Sequence, residues 1–179
     1  VYAASVSPAS TATLAPAAAG LTATAWTSSV TVSWTALPGL PQDQAAEGFV
    51  VLASTSADFA PLAGSSVTPA GTASALTVAG LSGETTYYFR VGSLNWNSQP
   101  HFGAVVSTLT RATPPTATAF VAVHRTSASV SFGGVGASGY AVEAATASDF
   151  TTVTASSASA APAVLELAGL DPNTTYFAR

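Results

Sequence analysis

The chain has no cysteine, no methionine and no lysine, and only 7% of its 179 residues carry charge. Each absence closes a class of explanation. Without cysteine there is neither a disulfide framework nor a thiolate metal site. Without lysine, the four arginines (Arg90, Arg111, Arg125, Arg179) are too dispersed for a basic patch, and eight acids bring the net charge to −4. Nucleic acid and anionic membrane surfaces are therefore not expected partners. No apolar run approaches the roughly 20 residues of a membrane-spanning helix, so no membrane insertion is expected. Ala15–Gly20 has small residues but neither the basic leader nor the apolar stretch of a secretory signal. A chain that starts at Val1 and contains no Met reads as a processed product or an interior piece of a longer polypeptide.

What is present is repetition. The segment Ala53–Phe59 (ASTSADF) returns as Ala144–Phe150 (AATASDF), 91 residues on, and Leu81–Tyr87 (LSGETTY) returns as Leu170–Tyr176 (LDPNTTY), 89 residues on. That period is the length of a small all-β domain, not of a solenoid turn. With 48% hydrophobic residues the chain can bury two cores, and its exposed positions are left to Ala, Ser, Thr and Gly. A coat so poor in charge does little to oppose association.

Apolar positions alternate with period two throughout, which predicts strands. In the first copy these are Leu21–Trp26, Val30–Trp34, Gly48–Ala53, Leu76–Val78, Thr86–Val91 and Phe102–Leu109, with Pro38–Pro41 as a loop. In the second they are Phe120–Val123, Val130–Phe132, Tyr140–Val142, Val164–Leu167 and Thr175–Phe177. Short strands at this spacing suggest a Greek-key β-sandwich. The pattern resembles fibronectin type III domains. Trp34 (Phe132 in the second copy) and the corner residues Leu81, Thr85, Tyr87, Phe89 and Val91 (Leu170, Pro172, Thr174 and Tyr176 in the second) carry the resemblance, with Gly83 in place of the usual corner proline. It implies an all-β chain of two tandem immunoglobulin-like sandwiches. Their cores would rest on Trp34, Tyr87, Phe89, Phe132 and Tyr176, with each corner Tyr bonding back to the chain.

The expected organisation is a leading segment at 1–13, a first repeat at 14–110, a proline linker at 111–115 and a second repeat at 116–179. By the family pattern the second repeat stops at Arg179, the position of Arg90, short of its last strand. Conversely Tyr2–Ser7 (YAASVS) resembles Phe102–Ser107 (FGAVVS), the last strand of the first repeat. Either the chain is a slice of a longer array, or the leading strand of one molecule completes the last sandwich of the next. Tyr2 and Val6 are the interaction candidates on that segment.

Chemistry-bearing residues are thin. Asp43, Glu47, Asp58, Glu84, Glu143, Asp149, Glu166 and Asp171 fall mostly at turns or strand ends, with no Asp-rich loop for calcium. Asp58 and Asp149 share a repeat position where a carboxylate can fix a turn through backbone amides. His101 and His124 lie in different copies and read as surface histidines, and Gly133–Gly136 reads as a tight turn, not a phosphate loop. No enzyme activity, metal or cofactor is expected. Asn95, Trp96 and Asn97 form the best surface candidate, an aromatic flanked by amides that suits a sugar ring or a protein partner, although the favoured reading is that Trp96 folds over the sandwich end and packs against a neighbouring repeat while the Asn side chains brace the turn. Trp26, at a strand end, raises the same question. Asn173–Thr175 matches the N-glycosylation acceptor pattern within the corner motif, which is expected to be buried.

The role expected from these features is a non-enzymatic, extracellular or cell-surface structural protein, bacterial in style. It would be a segment of a filament, fibre or adhesin stalk whose partners are copies of itself or adjacent repeats. The alternative is a carbohydrate-binding or spacer module of a secreted polysaccharide-degrading enzyme, with glycans as the partner.

Overall fold

A computed structural model describes residues 11–134, 137–160 and 164–179. Tyr2 and Val6, and part of the turn expected at Gly133–Gly136, lie outside the described residues. Contacts divide the chain into two units, Val1–Arg111 and Ala112–Arg179.

In the first unit, β1 (Thr22–Ala25), β2 (Ser29–Ser33) and β5 (Ala75–Ala79) form one antiparallel sheet in the order β1-β2-β5. The second sheet has the order β4-β3-β6-β7, from β3 (Gly48–Ser54), β4 (Gly64–Thr68), β6 (Thr86–Leu94) and β7 (Pro100–Leu109). Alternation decides which side chains meet. Val30, Val32 and Val78 point from the first sheet, and Phe49, Val51, Ala53, Phe89 and Val91 from the second, and all are fully buried in one cluster. Trp34, one residue past β2, completes that core at 4.9 Å between its ring centroid and that of Phe49.

Among the described residues the second unit repeats the plan with six strands. Its sheets are β8-β9-β12, from β8 (Thr116–Val123), β9 (Ser127–Gly133) and β12 (Val164–Ala168), and β11-β10-β13, from β10 (Tyr140–Ala145), β11 (Ala155–Ser159) and β13 (Phe177–Ala178). Val130, Phe132, Val142, Ala144, Leu165 and Leu167 fill the core, and Tyr140 and Tyr176 pack against it half-buried. Strands one, two and five facing strands three, four, six and seven is the fibronectin type III-like arrangement, and the second unit follows it through strand six. The chain is therefore all-β, with two tandem sandwiches of this type.

The sequence reading omits β4 and β11, which run Gly64–Thr68 and Ala155–Ser159. Both are edge strands rich in Ser, with no inward apolar alternation to mark them. Strand β13 begins at Phe177, not Thr175. The corner tyrosines behave alike, Tyr87 Oη accepting from Ser82 N and Tyr176 Oη from Asp171 N, each at 3.0 Å.

Candidate functional site

The best-built surface feature of the first unit is the way β7 closes it, because the same acceptor elements recur in the second unit. Strand β7 engages at three points. At its start, the Arg90 guanidinium lies between two rings, 4.2 Å from the Phe59 centroid and 4.2 Å from that of Phe102. Its Nε is buried without a hydrogen-bond partner, so the charge is met by ring faces. In the middle, Val106 packs half-buried on the core, as do Ala23 and Ala25 of β1. At the end, Thr110 is 1% exposed, and its Oγ1 accepts from Thr85 N at 3.0 Å while facing the Ser82 carbonyl at 2.7 Å. The next residue, Arg111, stacks on Trp26 at 4.9 Å, which accounts for an aromatic left 49% exposed at a strand end.

The second unit presents the matching half of each contact. Arg179 lies 4.5 Å from the ring of Phe150, the counterpart of Phe59, and its Nη2 pairs with Glu143 Oε2 at 2.8 Å. Phe120 and Val123, at the register positions of Ala23 and Ala25, remain 44% and 74% exposed. With His124, Leu170, Thr174 and Tyr176 they line a cavity of about 420 Å³. Asp171 and Thr174 stand where Ser82 and Thr85 receive Thr110. Asn173, Thr174 and Thr175 are exposed, which corrects the expectation that the corner sequon is buried, because no strand covers that corner among the described residues.

Of the expected core residues, Trp34, Tyr87, Phe89 and Phe132 are buried, whereas Tyr176 is half-buried on the cavity wall. The expected surface triad divides. Asn95 is not an outward group: it is 5% exposed, its Nδ2 donates to the Ala12 and Thr13 carbonyls at 3.1 and 3.0 Å, and its Oδ1 accepts from Asn97 N and Gln99 N. Trp96 is 69% exposed, and Asn97 is exposed, its Nδ2 3.4 Å from Thr11 Oγ1. Thr11–Thr13, read as the end of the leading segment, are thus tied into the first unit. Replacing Asn95 by Ala leaves four backbone groups short of a partner and is expected to cost about 2 kcal/mol. A chemical-denaturation midpoint unchanged in that variant would contradict it.

Several of the remaining polar residues brace turns and chain contacts. His101 Nδ1 lies 2.7 Å from the Ala15 carbonyl, and His124 is exposed. Asp58 Oδ1 accepts from Ala60 N and Asp149 Oδ1 from Thr151 N, both at 3.1 Å, the turn-fixing bonds that the shared repeat position predicts. Hydrogen bonds from the Ser56 side chain and the Ala60 amide hold the Asp58 pKa below the ordinary 3.8. That contribution is present above the ordinary value and fades only as pH falls through the lowered one. Among the described residues, no group of three His, Asp or Glu gathers around a potential metal position, and no helix is long and apolar enough to cross a membrane.

No family model matches the chain, and no curated protein matches it. Similar solved structures include a two-domain fibronectin type III segment from chicken tenascin, at 13% identity, 89% of this chain, 86% of that chain and a TM-score of 0.47. The fn3 domain of the human collagen alpha-1(XX) chain is 18% identical, over 60% of this chain and 95% of that one, with a TM-score of 0.45. The FN1-FN3 domains of chicken CNTN1 are 15% identical over 92% of this chain, which spans 60% of theirs, with a TM-score of 0.44. At such identities the likeness concerns the fold alone, and the fold stands on the strand order above.

Proposed function

We propose that the chain is a non-enzymatic structural module of an extracellular or cell-surface protein, a segment of a filament, fibre or adhesin stalk whose sandwiches join head to tail by strand addition. The observation that carries this reading is the three-point engagement of β7 and its recurrence, as acceptor halves, in the second unit. A strand that closes the second unit needs an aromatic residue for Arg179, an apolar residue four positions on for the cavity, and a hydroxyl four positions further for the corner. Phe102, Val106 and Thr110 meet that pattern in the first unit, and Tyr2, Val6 and Ser10 repeat it at the same spacing in the leading segment. A strand of this pattern would close the second unit, whether it follows Arg179 in the same polypeptide or comes from another copy. The low-charge Ala/Ser/Thr surface supports close apposition of such units.

The test is a titration of the chain with a synthetic peptide spanning residues 1–13. Saturable binding is expected, with amide shifts at Phe177, Ala178 and Arg179, and with affinity at least tenfold weaker for the Tyr2→Ala, Val6→Ser peptide. Equal binding by both peptides, or none, would remove the strand-addition route. Electron microscopy of the native material reads the larger claim, for which extended strings are expected and compact single particles count against it.

A further inference from the structure

We infer that the cleft beside Trp96 in the first unit is a binding site for a neutral saccharide. The sequence places Trp96 at the tip of the turn between β6 and β7, and the turn is fixed before any ligand arrives. Asn95 Oδ1 accepts from Asn97 N at 3.0 Å and Gln99 N at 2.9 Å, Ser98 N donates to the Asn95 carbonyl at 2.8 Å, and the Asn95 amide anchors the assembly to Ala12 and Thr13. The indole at the tip is nonetheless 69% exposed, and among the described residues it packs on no other ring. A rigid, solvent-facing aromatic plane offers stacking area with little ordering cost on binding.

Beside that plane lies a cleft of about 420 Å³, within the size range of small-ligand sites. Gln42, Asp43 and Glu47 also line it, and Gln42 Nε2 already donates to Glu47 Oε1 at 2.7 Å and so presets the pair. Thr13 is a further lining residue. The lining holds no Arg, Lys or His, so it has nothing to compensate a phosphate, sulfate or carboxylate. It combines one aromatic face with carboxylate and carboxamide oxygens that accept hydrogen bonds from hydroxyl groups. A sugar ring fits both demands, its axial C–H face on the indole and its equatorial hydroxyls donating to Asp43 and Glu47. The site lies wholly within the first unit and is independent of strand addition at the second.

The chain has three tryptophans, and their indole N–H signals can be followed separately by NMR, with Trp96 assigned by its loss in Trp96→Ala. Neutral hexasaccharides of glucose, N-acetylglucosamine, mannose and galactose are titrated in turn. At least one is expected to shift the Trp96 indole saturably and leave that of buried Trp34 in place. Trp96→Ala, which truncates a largely exposed side chain, should weaken binding at least tenfold, and Asp43→Ala should weaken it severalfold with an unchanged melt. The inference fails if none of the four shifts the Trp96 signal, or if binding survives in Trp96→Ala. It fails equally if the Trp96 signal responds only to protein concentration, because the surface is then a contact between copies of the chain. Neither failure bears on the strand-addition titration, which is read at Phe177–Arg179.

Discussion

Truncating Trp34 to alanine should cost the first unit roughly 3–5 kcal/mol, a large part of the stability of a small sandwich. Trp34 is 5% exposed and packs at 4.9 Å against Phe49, itself fully buried, so its removal opens a void between the two sheets that backbone ladders on both sides prevent from collapsing. The conservative variant sharpens the test. Trp34 Nε1 is buried without a hydrogen-bond partner, so the indole contributes volume and no polar contact, and the second unit places Phe132 at the same position. Trp34→Phe should therefore retain a cooperative melt with a loss smaller by half or more. Calorimetry of both variants decides the matter. An unchanged first transition in Trp34→Ala would mean that the core is centred elsewhere, and equal losses in the two would mean that the indole nitrogen is engaged after all.

Appending residues 100–111 after Arg179, through a short flexible linker, should stabilise the second unit by about 3 kcal/mol, which for a domain of this size moves its melting temperature by about 12–24 °C. The gain comes from covering Phe120, Val123 and Phe177, which stand 44%, 74% and 43% exposed, and from giving Arg179 a second ring. Ordering of the added strand offsets part of it. Hydrogen exchange separates the units within one sample. Amides of β13 should slow by a hundredfold or more, whereas those of β3 and β6, already paired on both sides, should not change. Appending the same residues with Phe102→Ala and Val106→Ser should forfeit most of the effect. A second unit indifferent to the added strand would show that its edge is closed by its own residues.

Much of this architecture was legible in the sequence, for a local reason. Val30 and Val32, Phe49 and Val51, and Tyr87, Phe89 and Val91 advertise buried faces by alternation, and the repeated corner segments fix where each copy turns. Strands β4 and β11 were not legible because their Ser-rich segments are recruited by pairing with β3 and β10, and nothing in GSSVT or ASSAS demands burial. The surface reading divided along the same line. Exposure of Trp96 follows from its place in a polar turn. Burial of Asn95 depends on carbonyls of Ala12 and Thr13, more than 80 residues away, which no local pattern reports. The stacked arginine joins Phe59, Arg90 and Phe102 from three strands or loops. Its one sequence signal was the recurrence of Phe and Arg at positions 150 and 179, a coincidence of two residues until geometry connects them.

If the chain bears load, as the proposed function has it, the stitching of residues 12–16 to the β6–β7 hairpin has a mechanical consequence. Tension entering the first unit from its amino-terminal side reaches Ala12, Thr13, Ala15 and Pro16 before it reaches β1. Each of these offers a carbonyl to a side chain of the hairpin, Asn95, His101 or Ser93. Those four bonds form a clip that would have to yield before tension from this side could peel away the sheet β1-β2-β5. Their side chains sit on the two longest strands of the unit and the turn between them. A stretched array would then be expected to give way first at units whose clip lacks one of its members.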